Sequence, residues 1–172
     1  MSSLVLALLG SGDGGRGKWA LEEIEIEAAE CETIDDLANV LRDFAEPIRL
    51  LAIEQDDEYA AIVRLDVDAD EADEPTRVFL SNGRAADDYP LAEVLADGLD
   101  EIGGDPLDGD TDAPEGVHDV APFGDAQLLS DLGVSGGTLV ELAVREGALP
   151  MDLIEAVCER LGCLGQFEAI RG

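Results

Sequence analysis

The 172-residue chain has few basic side chains and few aromatic ones. Ten lysine and arginine residues oppose 41 aspartate and glutamate residues, so the formal net charge at pH 7 is −31. A surface this acidic repels a phosphate backbone, and an aromatic share of 4% leaves little for base stacking. Both shortages argue against direct nucleic-acid binding. Hydrophobic residues still make up 46% of the chain, which predicts a folded protein and not a disordered acidic tail.

Residues that bind metals or form disulfides are also scarce. His118 is the only histidine, so one chain cannot assemble a two-histidine zinc site. The three cysteines, Cys31, Cys158 and Cys163, are odd in number and scattered, which is untypical of a secreted disulfide framework. Cys158 continues an apolar helical stripe, so we predict that Cys158 and Cys163 are buried thiols. The sequence predicts no cofactor and no metal.

Long hydrophobic runs are missing as well. The longest run near the start, Leu4 to Leu9, is far shorter than a membrane span or a signal-peptide core, and no basic segment precedes it. We therefore expect a cytoplasmic protein that makes no membrane contact.

Residues 1–98 carry the patterns of an antiparallel sheet with one packed helix. Apolar segments predict five strands, at 3–9, 19–26, 48–54, 59–67 and 76–80. Thr33 and Asp36 resemble a capping box, and the helix that they begin has an apolar face for the sheet and ends before Pro47. In the fourth strand, alternate residues from Tyr59 are predicted to face the core and Arg64 to face solvent. A short helix after Pro90 closes this unit.

The remainder of the chain divides into an acidic linker and a helical segment. Residues 99–124 are rich in aspartate, glycine and proline, which predicts a linker or loop. Residues 125–172 predict a helical subdomain with helices begun by Asp125, by Thr138 paired with Glu141, and by Pro150. Their apolar faces have three possible destinations: the sheet domain, a second copy of the chain, or another protein.

The predicted fold class is α+β. It consists of a mainly antiparallel sheet of about five strands with one packed helix, followed by a small C-terminal helical subdomain.

Two segments come close to known ligand-binding motifs. Gly12, Gly17 and Lys18 match GxxxxGK, but Trp19 stands where a phosphate-binding loop needs a hydroxyl, and a strand is predicted to follow. We favour a hairpin turn, and a small nucleotide-binding protein using the Gly10–Lys18 loop is the alternative. Asp108, Asp110 and Asp112 alternate like calcium ligands, but the glycine and the final glutamate of a calcium loop are missing.

Three segments resemble a known family. They are Arg77-Val-Phe-Leu-Ser-Asn-Gly-Arg-Ala-Ala86, Leu128-Leu-Ser-Asp-Leu-Gly133 and Glu146-Gly-Ala-Leu-Pro150. Together they resemble the small actinobacterial proteins called tRNA adenosine deaminase-associated proteins. The resemblance implies a protein associated with a deaminase and not a deaminase itself, since HxE and PCxxC segments are missing.

The leading hypothesis is therefore a non-catalytic accessory protein that binds a protein partner, with a tRNA adenosine deaminase as the candidate. A self-associating structural protein is a further alternative. The acidity itself has a second explanation, since a self-repelling surface also prevents aggregation and suits a salty cytoplasm. Acidic side chains would attract the partner's basic face, and an apolar helix face would supply the lasting contact. The predicted partner-binding residues are Asp105, Asp108, Asp110, Asp112, Leu128, Leu132, Leu153 and Val157.

Overall fold

The computed structural model describes most of the chain outside its acidic middle. The described residues are 3–11, 18–26, 32–44, 46, 48–66, 76–82, 85, 87–101, 123–124, 127–145 and 149–171. Within them the strands are β1 (Ser3–Ser11), β2 (Lys18–Glu23), β3 (Ile48–Gln55), β4 (Tyr59–Asp66), β5 (Thr76–Leu80) and β6 (Phe123–Gly124). They form one sheet in the order β2-β1-β3-β4-β5-β6, and each neighbouring pair is antiparallel. The predicted antiparallel sheet is confirmed, with the two-residue β6 as a short addition to its five main strands.

Helices cover both faces of this sheet. They are α1 (Ile34–Arg42), α2 (Pro90–Glu101), α3 (Gly136–Val144), α4 (Pro150–Leu161) and α5 (Leu164–Arg171), and a 3₁₀ turn spans Ser130–Leu132. In the described ranges, none of them has the length and apolarity that crossing a membrane requires. The α+β class with C-terminal helices is confirmed.

The first face of the sheet is covered by α1 and α2. Thr33 begins α1 as predicted: its Oγ1 accepts from the Asp36 N–H at 3.3 Å, and Asp36 Oδ2 accepts from the Thr33 N–H at 3.1 Å. This face forms the first core, which buries Val5, Ala7, Leu9, Leu37, Ala38, Leu41, Leu51, Ile53, Tyr59, Ala61, Val63, Leu65, Val78, Leu80, Ala85, Leu91, Ala92 and Leu95. The predicted inward side of β4 is confirmed by its four members here.

The second face is covered by the C-terminal helices. Sheet residues and helix residues share a second core, which buries Leu6, Leu8, Trp19, Leu50, Ala52, Ala60, Ile62, Phe79, Leu128, Leu129, Leu132, Val134, Leu139, Leu153, Ile154, Val157, Cys158, Leu161, Cys163 and Phe167. Of the three destinations left open for the apolar helix faces, the structure therefore shows the sheet. The molecule has three layers, with the sheet between two helical layers.

This second layer corrects the prediction for Arg64. The residue does not face solvent: it points to the helical layer and is only 6% exposed. The alternation in β4 assigns residues to the two faces of the sheet correctly. Because helices cover both faces, however, the side of β4 that carries Arg64 does not face solvent.

The boundaries of the C-terminal helices also differ from the prediction. Ser135, and not Thr138, begins α3, because the Ser135 Oγ accepts from the Thr138 N–H at 3.2 Å. The helix predicted to end at Leu132 is a 3₁₀ turn in which Gly133 adopts a left-handed conformation. Strand β6 and helix α5 were not predicted.

The acidic linker predicted at 99–124 lies mostly outside the described residues, which include only 99–101 and 123–124 from it. The division into 1–98, 99–124 and 125–172 therefore stays a prediction.

Candidate protein-interaction surface

The hairpin between β3 and β4 fixes three acidic residues at one end of the sheet. Asp56 and Asp57 have positive φ angles of 51° and 57°, and the Glu58 N–H donates to the Gln55 carbonyl at 2.9 Å. Gln55 pairs with Tyr59, so three residues connect the strands, and the two consecutive left-handed ones make the turn tight. Aspartate tolerates that conformation better than most residues. The buried Glu54 carboxylate accepts from the Asp57 N–H at 2.7 Å, which holds the turn.

A second acidic segment lies beside this turn, directly before α2. Tyr89 packs its ring against Tyr59, with centroids 5.6 Å apart and planes tilted by 56°. The side chain of Tyr89 also hydrogen-bonds to Asp56. Asp87 and Asp88, both exposed, precede it in the chain. We call Asp56, Asp57, Glu58, Asp87 and Asp88 the acidic turn surface.

The negative charge of the acidic turn surface affects the pKa of Tyr89. The pKa of Tyr89 is raised above its usual value first by desolvation and then by the carboxylates of Asp56 and Glu58. In the described part of the chain, no three His, Cys, Asp or Glu side chains come close enough together to hold a metal ion. Asp57, Glu58, Asp87 and Asp88 are exposed, and exposed carboxylates are suited to attracting a basic protein surface.

Sequence reasoning missed this surface. The segment Gln55–Glu58 was identified as a polar hairpin connection, and Asp87 and Asp88 lie in the stretch before the helix predicted after Pro90. The run Asp-Asp-Glu and the pair Asp-Asp before a tyrosine were visible signals. What the sequence could not show is that the Tyr59–Tyr89 contact brings the two segments together.

The apolar residues predicted to bind a partner are placed inside the molecule. Leu128, Leu132, Leu153 and Val157 are between 0% and 5% exposed and all belong to the second core. A partner would reach them only if the helical layer left the sheet. The exposed large hydrophobic side chain of the described ranges is Leu149, at 51%, directly before α4. The four predicted aspartates, Asp105, Asp108, Asp110 and Asp112, lie outside the described residues.

Arg64 connects the sheet to the segment before α3. Its Nη1 donates to the Leu128 carbonyl at 2.6 Å and to Asp131 Oδ1 at 2.6 Å, and its Nη2 donates to Asp131 Oδ2 at 2.9 Å. Arg77 lies opposite Arg64 in the β4–β5 register. Hydrogen bonding from Arg64, more than the charge of Arg77, lowers the pKa of Asp131. The ion pair thus holds the segment 127–133 on the sheet.

The glycine-rich loop is flanked by two paired strands. Ser11 at the end of β1 pairs with Lys18 at the start of β2, so the predicted hairpin is confirmed, while residues 12–17 lie outside the described ranges. A phosphate-binding loop of the GxxxxGK type leads into a helix, whereas here the chain enters a strand. Gly10 belongs to β1 and lies against the Trp19 ring: a Cβ at Gly10 would come within 3.0 Å of it.

The two described cysteines lie in the last turn of α4 and directly before α5. Cys158 and Cys163 are both 0% exposed, as predicted. His118 and Cys31 lie outside the described residues.

Comparison with known proteins identifies one family. The sequence pattern described as Rv3753c-like tRNA adenosine deaminase-associated protein matches residues 14–164. No curated protein and no solved structure matches the chain.

Proposed function

The chain belongs to the Rv3753c-like tRNA adenosine deaminase-associated protein family, and we propose that it is a non-catalytic acidic accessory protein that binds a tRNA adenosine deaminase. The observation that carries this proposal is the family match over residues 14–164, whose description refers to an associated protein and not to a deaminase. The charge of the chain and the acidic turn surface support a protein partner.

The non-catalytic part of the proposal is supported by the chemistry that adenosine deamination needs. A zinc deaminase holds its metal with a histidine and two closely spaced cysteines, and a glutamate two residues after the histidine moves the proton. In this sequence His118 is followed by Asp119 and Val120, and the cysteines nearest in spacing, Cys158 and Cys163, are five positions apart. Both of these thiols are buried in the second core.

The choice of a protein partner over tRNA is supported by electrostatics. A deaminase that acts on tRNA presents a basic face to the phosphate backbone, and a chain with a net charge of −31 is attracted to that face and repelled by the RNA. The acidic turn surface supplies one group of carboxylates. We add Asp105, Asp108, Asp110 and Asp112 as another group, which we call the 105–112 acids. Such charges act mainly on the rate of encounter and on the choice of partner.

Co-purification of the full chain with the deaminase from the same cell tests direct contact. We expect a complex at low salt that weakens steadily as the salt concentration rises, because exposed charges are screened. Lack of binding at micromolar concentration across the salt series would reject direct contact. Binding of tRNA by the chain alone would contradict the assignment to a protein partner.

A charge-neutral variant tests the surface itself. We expect the triple variant Asp57→Asn, Glu58→Gln, Asp88→Asn to bind about tenfold more weakly, taking roughly 0.5 kcal/mol for each exposed charge. The matched control is Glu141→Gln, Glu159→Gln, Glu168→Gln, which removes three exposed charges from the helical layer. Equal losses in the two variants would mean that only total charge matters, and the acidic turn surface would then be rejected as the contact. Replacing Asp105, Asp108, Asp110 and Asp112 by asparagine tests the contribution of the 105–112 acids in the same binding assay.

A further inference from the structure

The corner between α4 and α5 places two cysteines together. Gly162, with a φ of 88°, ends α4, and its N–H donates to the Glu159 carbonyl at 3.3 Å. The Cys163 N–H donates to the Cys158 carbonyl at 2.8 Å. These two bonds define a Schellman motif, in which the residue after the left-handed glycine packs against a residue in the last turn of the helix, five positions earlier. Here both of those residues are cysteines.

The two thiols contact each other inside the second core. Both side chains are 0% exposed, and they hydrogen-bond to one another. The Cys158 thiol acts as the donor, so this bond raises the pKa of Cys158 and lowers the pKa of Cys163. Desolvation disfavours the thiolate of both residues, and at Cys163 the hydrogen bond from Cys158 opposes it, so Cys163 is the thiol that we assign as the nucleophile.

We propose that Cys158 and Cys163 are an oxidation site, and that a hydroperoxide converts them to an intramolecular disulfide across the α4–α5 corner. The Cys163 thiolate attacks one oxygen of hydrogen peroxide, the O–O bond breaks, and hydroxide leaves, which gives a sulfenic acid at Cys163. The Cys158 sulfur then attacks the Cys163 sulfur, the S–O bond breaks, and the Cys158 proton leaves with the hydroxyl group as water. Two thiols are oxidised to a disulfide and one peroxide is reduced to two water molecules.

The geometry of the corner favours this product over a lasting sulfenic acid. A disulfide needs Cα atoms within roughly 7 Å of each other and side chains that point together. The backbone hydrogen bond between the two cysteines and the contact of their thiols provide this proximity. The resolving thiol is therefore already beside the sulfur that the peroxide oxidises.

The disulfide would also be reported by the only tryptophan in the chain. The Gln166 side chain in α5 donates to the Trp19 carbonyl at 3.1 Å, and Phe167 shares the second core with Trp19. A disulfide between Cys158 and Cys163 would therefore constrain the start of α5, the helix that contacts the edge strand β2. A change in tryptophan emission on oxidation is expected to follow the loss of the two thiols.

Peptide mapping of the intact, folded chain tests the proposal. Trypsin cleaves after Arg145, Arg160 and Arg171, so Cys158 and Cys163 fall in the separate peptides 146–160 and 161–171. After hydrogen peroxide treatment and alkylation of the remaining thiols, we expect these peptides to be joined, with a mass lower by two hydrogen atoms, and to separate on reduction. Cys31 should remain a free, alkylated thiol.

Single variants test which sulfur reacts first. In Cys158→Ser the serine hydroxyl can still donate to Cys163, so we expect dimedone to label Cys163 after peroxide treatment. Labelling of Cys158 in Cys163→Ser should be several-fold lower, because the charge of Glu155 raises the pKa of Cys158, whereas a backbone N–H lowers the pKa of Cys163. Both variants need a far-UV circular dichroism spectrum that matches the parent chain. If one is misfolded, the mapping of the unmodified chain decides alone.

The opposing outcomes are equally clear. Separate, fully alkylated peptides after peroxide treatment would overturn the proposal. Sulfinic acid at Cys163 without a cross-link, or a disulfide that includes Cys31, would overturn it as well.

Discussion

Arg64 shows how one buried charge can be tolerated in the second core. The side chain is 8% exposed, yet its guanidinium reaches a backbone carbonyl and both oxygens of Asp131, which is itself 57% exposed. A bidentate pair of this kind is stronger than a single charged hydrogen bond. Because water reaches the carboxylate but hardly reaches the guanidinium, loss of the Asp131 charge would remove a bidentate partner that water cannot fully replace.

Replacement of Asp131 by asparagine should destabilise the protein by about 1–2 kcal/mol. This is less than the roughly 3–5 kcal/mol for breaking a fully buried pair, because the exposed carboxylate is screened by water. Chemical denaturation at pH 7 measures the loss. The control Glu141→Gln breaks an exposed pair with Arg145 and should change the stability by less than about 0.5 kcal/mol. Equal losses of unfolding free energy in the two variants would mean that the burial of Arg64 does not strengthen its ion pair with Asp131.

The same variant has a characteristic pH dependence. The pKa of Asp131 is lowered in the folded protein from its usual 3.8, so its contribution is fully present above that pH and is lost as the pH falls through the lower folded value. The difference in unfolding free energy between the parent chain and Asp131→Asn should therefore be constant above about pH 5 and shrink below about pH 4. A difference that grows on acidification would contradict the pairing.

At the scale of helices and strands, Gly162 and Gly165 differ in whether their backbone conformation requires glycine. Gly162 has a φ of 88°, a conformation that costs an alanine about 1–2 kcal/mol. Gly165 lies in the first turn of α5, and a Cβ there would meet nothing within 4 Å. Alanine is the better helix former at such a position by up to about 1 kcal/mol.

Gly162→Ala should therefore lower the unfolding free energy by about 1 kcal/mol, and Gly165→Ala should raise it by a few tenths of a kcal/mol or more. Both substitutions change the unfolded chain in the same way, so the difference between them isolates the folded backbone conformation. Parallel denaturation curves followed by circular dichroism give the comparison. Similar changes of one sign would contradict the left-handed end of α4.

The sequence was sufficient where one local signal determined an element. Thr33 with Asp36 predicted the start of α1, and Pro150 predicted the start of α4. It was insufficient where the partner of an element decided the outcome. Helix α5 has only eight residues and begins two positions after Gly162, and its short apolar pattern did not predict a separate helix. The two-residue β6 exists through its pairing with β5, which no local pattern reveals.

The candidate surface was only partly predictable for a related reason. Its chemistry follows from composition, because the excess of acids is plain in the sequence. Its location depends on contacts between Tyr59 and Tyr89, which are 30 positions apart. Leu153 and Val157 were predicted to bind a partner, and their described contacts are with the core that the helices share with the chain's own sheet.

On the scale of the whole molecule, the sheet links the two helical layers. Strand β3 is buried on both faces, and β1, β3 and β4 each contribute alternate residues to the first core and the second core. Without the C-terminal helices, the sheet residues of the second core would be exposed to water, since α1 and α2 lie on the opposite face. We therefore propose that the sheet and the helical layer fold as one cooperative unit, although the sequence predicts two domains joined by a linker.

Thermal and denaturant unfolding measured with two probes tests this cooperativity. Trp19 is 6% exposed in the second core, so its fluorescence reports on the contact between β2 and the helical layer, while far-UV circular dichroism reports on all helices. One cooperative unit predicts transitions with the same midpoint for both probes. A chain ending at residue 124 should then expose the second-core face and aggregate or unfold. A soluble, folded fragment, or a tryptophan transition that precedes the main loss of helix, would instead establish the helical segment as an independent domain and would make Leu153 and Val157 accessible to a partner.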